Sequence, residues 1–159
     1  MADNEAPMSQ TRAQRCLEAG LSVLVGTADA AGMPSCCRGI AISTPDDLAT
    51  ITVYVPLATS HETIQNLATT QQLAVTVTHP RDNFAAQFKG EAIDTRLARE
   101  DEAAFVRARL DAFADVLDRL GVPRRISRSL AHWPAFAVTM RVAQTFDQTP
   151  GPNAGRPVP

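Results

Sequence analysis

Between residues 21 and 146 the chain switches between stretches where apolar side chains recur at every second position and stretches where they recur every three or four. Residues 21–28 (LSVLVGTA) are an apolar run, DAAG at 29–32 has turn chemistry, and the strand pattern resumes over 34–42, which predicts a β-hairpin. TPDDL (44–48) is a further turn. ITVYVP (51–56), rich in β-branched and aromatic residues and closed by a proline that cannot continue a ladder, is the third strand. The loop LATSHET then opens a helix. Ser60 is a suitable N-cap with Thr63 three residues on, and Ile64, Leu67 and Ala68 form one apolar stripe before QLAVTVT restores alternation from Gln72. HPRDN (79–83) turns the chain into a long strand over 84–96, in which Gly90 predicts a bend or a close backbone approach. Helical spacing over 99–120 gives the longest helix, stopped by Gly121 and Pro123. A shorter arginine-rich helix over 123–130 precedes a last strand over 135–146.

Ahead of this array, residues 1–8 are polar and unpatterned, and Ser9 is placed to cap a short helix running to about Ala19, before Gly20. Behind it, DQTPGPNAGRPVP carries four prolines and is expected to end the chain without regular structure. The sum is one domain over 1–148 with a tail over 149–159. Its core is six strands in hairpin order with one helix between the third and fourth. Such an order predicts a closed antiparallel barrel, because closure removes exposed edges.

Charge narrows the partners. A formal net charge of -2 and a pI near 5.9 give no global basic field, which argues against nucleic acid or an anionic membrane. Lys89 is the only lysine, and no lysine or arginine occurs between Gly39 and Pro80. An anion bound by this central region must therefore be held by backbone, hydroxyls, histidines or arginines brought in from elsewhere. The helix start after the third strand offers such a place, with unpaired N–H groups, the positive dipole end, the hydroxyls of Thr59, Ser60 and Thr63, and His61. Simple capping by Ser60 and Thr63 accounts for the same residues. Cys16, Cys36 and Cys37 lack a metal spacing, no signal-like or long apolar segment is seen, and a cytoplasmic location with free thiols is expected. No Ser-His-Asp order, metal-ligand cluster, P-loop or Rossmann fingerprint is present, so any chemistry belongs to a bound redox cofactor.

The first hairpin, T-x-D-x-x-G-x-P (Thr27, Asp29, Gly32, Pro34), the arginine of the second strand (Arg38), the strand–loop–helix from Tyr54 to Leu67 and the QFKG of Gln87 to Gly90 together resemble the pyridoxamine 5'-phosphate oxidase-like family of flavin-binding split barrels. The resemblance covers residues 21–93. It implies a six-stranded antiparallel split β-barrel that forms a homodimer, with FMN in grooves at the subunit interface. It further implies a flavin-dependent oxidoreductase moving a hydride between a nicotinamide or small organic substrate and the flavin. In that family basic residues on the second strand and at the helix start hold the flavin phosphate. Arg38 matches the former one residue late, and Ser60, His61, Glu62 and Thr63 stand where arginine and lysine are usual. The alternative is a non-catalytic binding or sensing module for haem, deazaflavin or a phosphorylated metabolite.

By the same resemblance Gln87 hydrogen-bonds the flavin ring, Lys89 offsets negative charge on the reduced flavin, and Tyr54 borders the ring. The residues alone leave other readings open: a structural ion pair of Arg38 with Asp46, Asp47 or a helix carboxylate, a solvated face for Gln87 and Lys89, and a core role for Tyr54. Trp133 is assigned to dimer packing, His79 and His132 to structure, and the charges over 99–118 to a salt-bridged surface.

Overall fold

The computed structural model describes residues 12, 14–46 and 48–158. Its elements are β1 (Ser22–Ala28), β2 (Pro34–Gly39), β3 (Ala41–Asp46), β4 (Thr50–Pro56), α1 (His61–Thr70), β5 (Gln72–Thr78), β6 (Ala85–Leu97), α2 (Ala103–Arg119), α3 (Arg124–Arg128), β7 (Ala135–Asp147) and β8 (Arg156–Val158). Short 3-10 turns precede α1 and α2. Residues 12 and 14–16 are helical, and the expected start of that helix at Ser9 lies outside the described residues. No helix among the described residues is long and apolar enough to cross a membrane.

All pairings are antiparallel, in the order β2-β1-β5-β6-β7-β4-β3. The two ends of this path, β2 and β3, are consecutive in the chain and separated by Ile40 alone, whose N–H donates to Tyr54 O at 2.9 Å. The strand expected over 34–42 is thus a single bent segment that pairs with β1 through its first half and with β4 through its second. This bend joins the sheet to itself and is the reason the six expected strands become seven along the path. An eighth, β8, pairs with Thr145–Asp147 of β7, so the tail returns to the sheet instead of ending irregularly. Its chain reversal is fixed by Asp147, which accepts from the Thr149 and Gly155 amides through its side chain and carbonyl respectively.

Alternation divides the sheet residues between two cores. Inward positions such as Val23, Val25, Val53, Val75, Phe88 and Met140 fill the barrel, and Leu67 of α1 plugs it. Outward positions Ile40, Ala41, Tyr54 and Ala137 are covered by Val106 and Leu110 of α2. The close approach expected at Gly90 is there: a Cβ on it would lie 2.0 Å from Arg141 O of β7, at a bulge in the β6–β7 ladder.

Candidate functional site

The start of α1 differs from a simple cap. Ser60 makes no side-chain cap hydrogen bond; its carbonyl accepts the Ile64 N–H at 2.9 Å. Its hydroxyl has no partner and is fully buried, and the Thr63 hydroxyl is likewise buried. Facing them from β2 is the inward Cys37, whose thiol is pushed up by burial, an effect the nearby Thr63 hydroxyl partly offsets. One turn on, Asn66 Nδ2 donates to Thr27 Oγ1 at 3.1 Å and Thr70 Oγ1 to Ala28 O at 3.2 Å, tying α1 across the end of β1. His61 and Glu62 remain exposed on the first turn. The hydroxyls expected to meet an anion are therefore turned into the protein, while a carboxylate faces out.

Arg38 is not part of this cluster. Successive strand residues point to opposite faces, so with Cys37 inward Arg38 is outward. Its guanidinium stacks over the Phe113 ring of α2 at 4.5 Å, burial lowers its pKa, and it has no ion pair among the described residues.

On that outer face the register aligns a row across five strands: Arg38, Leu24, Thr76, Gln87 and Phe146. The neighbouring row holds Cys36, Gly26, Ala74, Lys89 and Gln144. Gln87 Nε2 donates to Thr76 Oγ1 at 3.0 Å, and Lys89 Nζ lies 4.9 Å from the Phe146 ring centroid. Leu24 is 44% exposed, and a Cβ on Gly26 would meet nothing nearer than Ala74 O at 4.0 Å, so the middle of the face is low and apolar. Strands about 4.8 Å apart put Arg38 about 14 Å from Gln87 along this row.

Tyr54 lies elsewhere, beneath α2. It is buried against Phe105, with ring centroids 5.8 Å apart, and its hydroxyl donates to Glu102 Oε1 at 2.9 Å. Arg96 grips the same carboxylate through two contacts of 2.8 Å and holds it down to about 2. Of the seven residues singled out from the sequence, the structure thus unites Arg38, Gln87 and Lys89 on one face. It sets Ser60, His61 and Thr63 at a second place and Tyr54 at a third. Sequence reasoning passed over Leu24, Gly26, Ala74 and Phe146; a glycine inside a strand was the available signal.

A barrel of this topology has known counterparts. The chain is similar to an FMN-binding protein from Syntrophomonas wolfei subsp. wolfei, at 11% identity over 88% of each chain with a TM-score of 0.52. HupZ of Group A Streptococcus is 18% identical over 96% of this chain and 100% of its own, with a TM-score of 0.51. A structure described as F420 reductase is 13% identical over 83% of this chain and 94% of its own, at 0.50. The chain has the pyridoxamine 5'-phosphate oxidase-like split-barrel fold. No protein-family model and no curated protein matches the sequence. At these identities the likeness concerns the split barrel itself, and its chemistry has to be argued from the residues above.

Proposed function

We propose that the protein binds FMN on the outer face of the β2-β1-β5-β6 sheet and serves, as a homodimer, in flavin-dependent oxidation or reduction of a small organic substrate. The observation that carries this reading is the alignment of Arg38, Gln87 and Lys89 on one face, with Gly26 and Ala74 as a low floor between them. The span from Arg38 to Gln87 is comparable with the length of FMN from phosphate to ring. Arg38 meets the phosphate as a charged, fork-shaped donor. Gln87 presents its amide to the ring edge while Thr76 holds its orientation, and Lys89 supplies positive charge on the same face. The helix start does not fit the phosphate, since Ser60 and Thr63 are buried and Glu62 adds negative charge. FMN, when bound, supplies a ring that accepts and returns a hydride.

The face is open on one side and carries the exposed Leu24, so a second copy of the chain covering it would both bury apolar surface and exclude water from the ring. The test is a visible spectrum of the purified protein followed by FMN titration. Flavin absorbance or micromolar binding supports the reading; no flavin and no binding at high micromolar FMN would sink it. Light scattering at micromolar concentration checks the dimer, and a stable monomer would count against the interface.

A second reading has its own support. The closed helix start and the exposed Glu62 remove the usual phosphate seat, which favours a binding module for deazaflavin, haem or a phosphorylated metabolite without turnover. The name of the similar F420 reductase brings deazaflavin into range. Steady oxidation of NADH or NADPH by the FMN-loaded protein would decide against this alternative.

A further inference from the structure

The long strand β6 has two strand neighbours over only half its length. Its ladder with β5 ends at Gln72↔Glu91, whereas its ladder with β7 runs on to Leu97↔Phe136. From Ala92 to Leu97 the side away from β7 is therefore a free edge among the described residues. Ala92 N–H donates to Gln71 O at 2.7 Å where this edge begins. Past its other end Ala98 N–H donates to Ala135 O at 2.9 Å. By alternation the backbone groups of Arg96 and Asp94 then point to β7, and those of Thr95 and Leu97 point away from it. Leu97 O accepts from Arg96 Nη1 at 3.2 Å, and the N–H and C=O of Thr95 and the N–H of Leu97 face no other strand.

The side chains along this edge stand in water. Ile93, at a bulge, is 47% exposed and Leu97 57%, and Asp94 and Thr95 are exposed between them. An edge with unpaired backbone groups and exposed apolar residues is a template for another strand unless charges guard it. Here the guards have opposite signs and lie one on each side of Thr95. The run 93–97 (IDTRL) is thus complementary to its own reverse. An antiparallel copy turned about Thr95 sets Thr95 against Thr95, Asp94 against Arg96 and Ile93 against Leu97. Opposite charges and apolar pairs directly across a ladder stabilise it, and like charges oppose it. Sliding the copy by two residues in either direction would oppose Asp94 to Asp94 or Arg96 to Arg96, so the charges select one register. Glu102 occupies Nη1 and Nη2 of Arg96, while Nε lies 3.7 Å from Asp94 of its own strand, so a carboxylate on this strand face reaches the guanidinium.

We infer that β6 is completed by β6 of a second copy of the chain, edge to edge about a twofold axis at Thr95, so that one sheet runs through both copies. The inference rests on the homodimer of the reading above and gives it a seam; it needs no flavin.

The test follows the dimer by sedimentation and light scattering over a dilution series of wild type, Asp94→Lys and Thr95→Pro, with circular dichroism as a check on folding. Asp94→Lys opposes two cations across the seam, twice. Thr95→Pro removes an N–H that bonds nothing within one chain, and proline is tolerated on an edge strand where that group faces solvent. Each variant is expected to raise the dimer dissociation constant at least about tenfold. If Thr95→Pro melts early, Asp94→Lys, at an exposed position, decides alone. An unchanged dissociation constant in folded Asp94→Lys, or a wild-type chain that stays monomeric at high micromolar concentration, overturns the inference. A dimer broken by Leu24→Asp and by neither edge variant seats the second copy on the flavin face and overturns the seam while leaving the flavin reading intact. FMN titration of the same samples separates the two readings: a dimer weakened by the edge variants that binds no FMN supports the seam and sinks the flavin.

Discussion

Replacing Gly90 by alanine probes the tightest point of the barrel. The added Cβ would sit 2.0 Å from Arg141 O, 3.0 Å from Arg141 C and 3.1 Å from Met140 Cε. Non-bonded carbon contacts are favourable near about 3.5 Å, so β6 and β7 must part by more than about 1 Å, and the atom in the way is backbone that cannot rotate aside. These two strands share the longest ladder of the sheet, from Ala86↔Asp147 to Leu97↔Phe136, so local parting breaks pairing on both sides. We expect Gly90→Ala to destabilise by about 3–5 kcal/mol, a large part of the stability of an ordinary domain. Two other glycines calibrate the scale. At Gly39 the nearest atom, at 2.6 Å, is Val23 Cγ1, a side-chain end, and about 1–2 kcal/mol is expected. At Gly26 the site is open, and alanine should be neutral or stabilising by up to about 1 kcal/mol. Urea unfolding of the three variants reads the midpoints, with the slope as a check on two-state behaviour. A Gly90→Ala protein within about 1 kcal/mol of wild type would refute the steric argument, because the strands would then have room to spare.

Three more outcomes follow from the geometry. Ser60→Ala should leave stability unchanged or raise it by up to about 2 kcal/mol, because it removes a buried hydroxyl without a partner; a loss of about 1 kcal/mol in thermal unfolding would restore Ser60 as a cap. Glu102, held by Arg96, and Asp147, held by Arg12, are each lowered to about 2 from 4.5 and 3.8, so their stabilisation is full above those ordinary values and lost as pH falls toward 2. Unfolding midpoints measured from pH 6 to about 2.5 should therefore fall, and the fall should shrink in Glu102→Gln; an unchanged profile would contradict this assignment. Gly26→Leu should fold normally yet weaken FMN binding by at least about tenfold, about 1.4 kcal/mol, by filling the floor of the outer face; unchanged FMN affinity would move the ring elsewhere.

Local chemistry made much of the fold legible. Gly32 takes the left-handed conformation in the DAAG turn, where Asp29 Oδ1 accepts the Ala31 and Met33 amides, and the Gly90 approach was readable because only glycine permits it. The bend at Ile40 was not legible, since the residue is an apolar member of an apolar run and the break is imposed by the need to pair with both β1 and β4. Nor was β8: Arg156, Pro157 and Val158 carry little strand signal, and the pairing is set by the reversal at Asp147. The site suffered from parity. Arg38 follows the inward Cys37, and on a strand one position is the opposite face, so a single step in sequence separates it from Ser60 and Thr63. Tyr54 was drawn to α2 by Phe105 and Glu102, partners more than forty positions away that no local pattern connects to it.

The single-residue junction at Ile40 also sets how the barrel is exposed to error. Because the two terminal strands of the sheet are continuous chain, closure needs no meeting of distant edges, and the ring cannot open there without breaking a covalent bond. Opening must instead begin at a seam between strands remote in sequence, such as β1–β5 or β4–β7. In the sheet path β2 pairs only with β1 and β3 only with β4, so a circularly permuted chain cut at Ile40 would keep every strand pair and lose only the covalent link that holds the two ends of the sheet together. One peptide link thus does at Ile40 what a ladder of hydrogen bonds does at every other seam of the sheet.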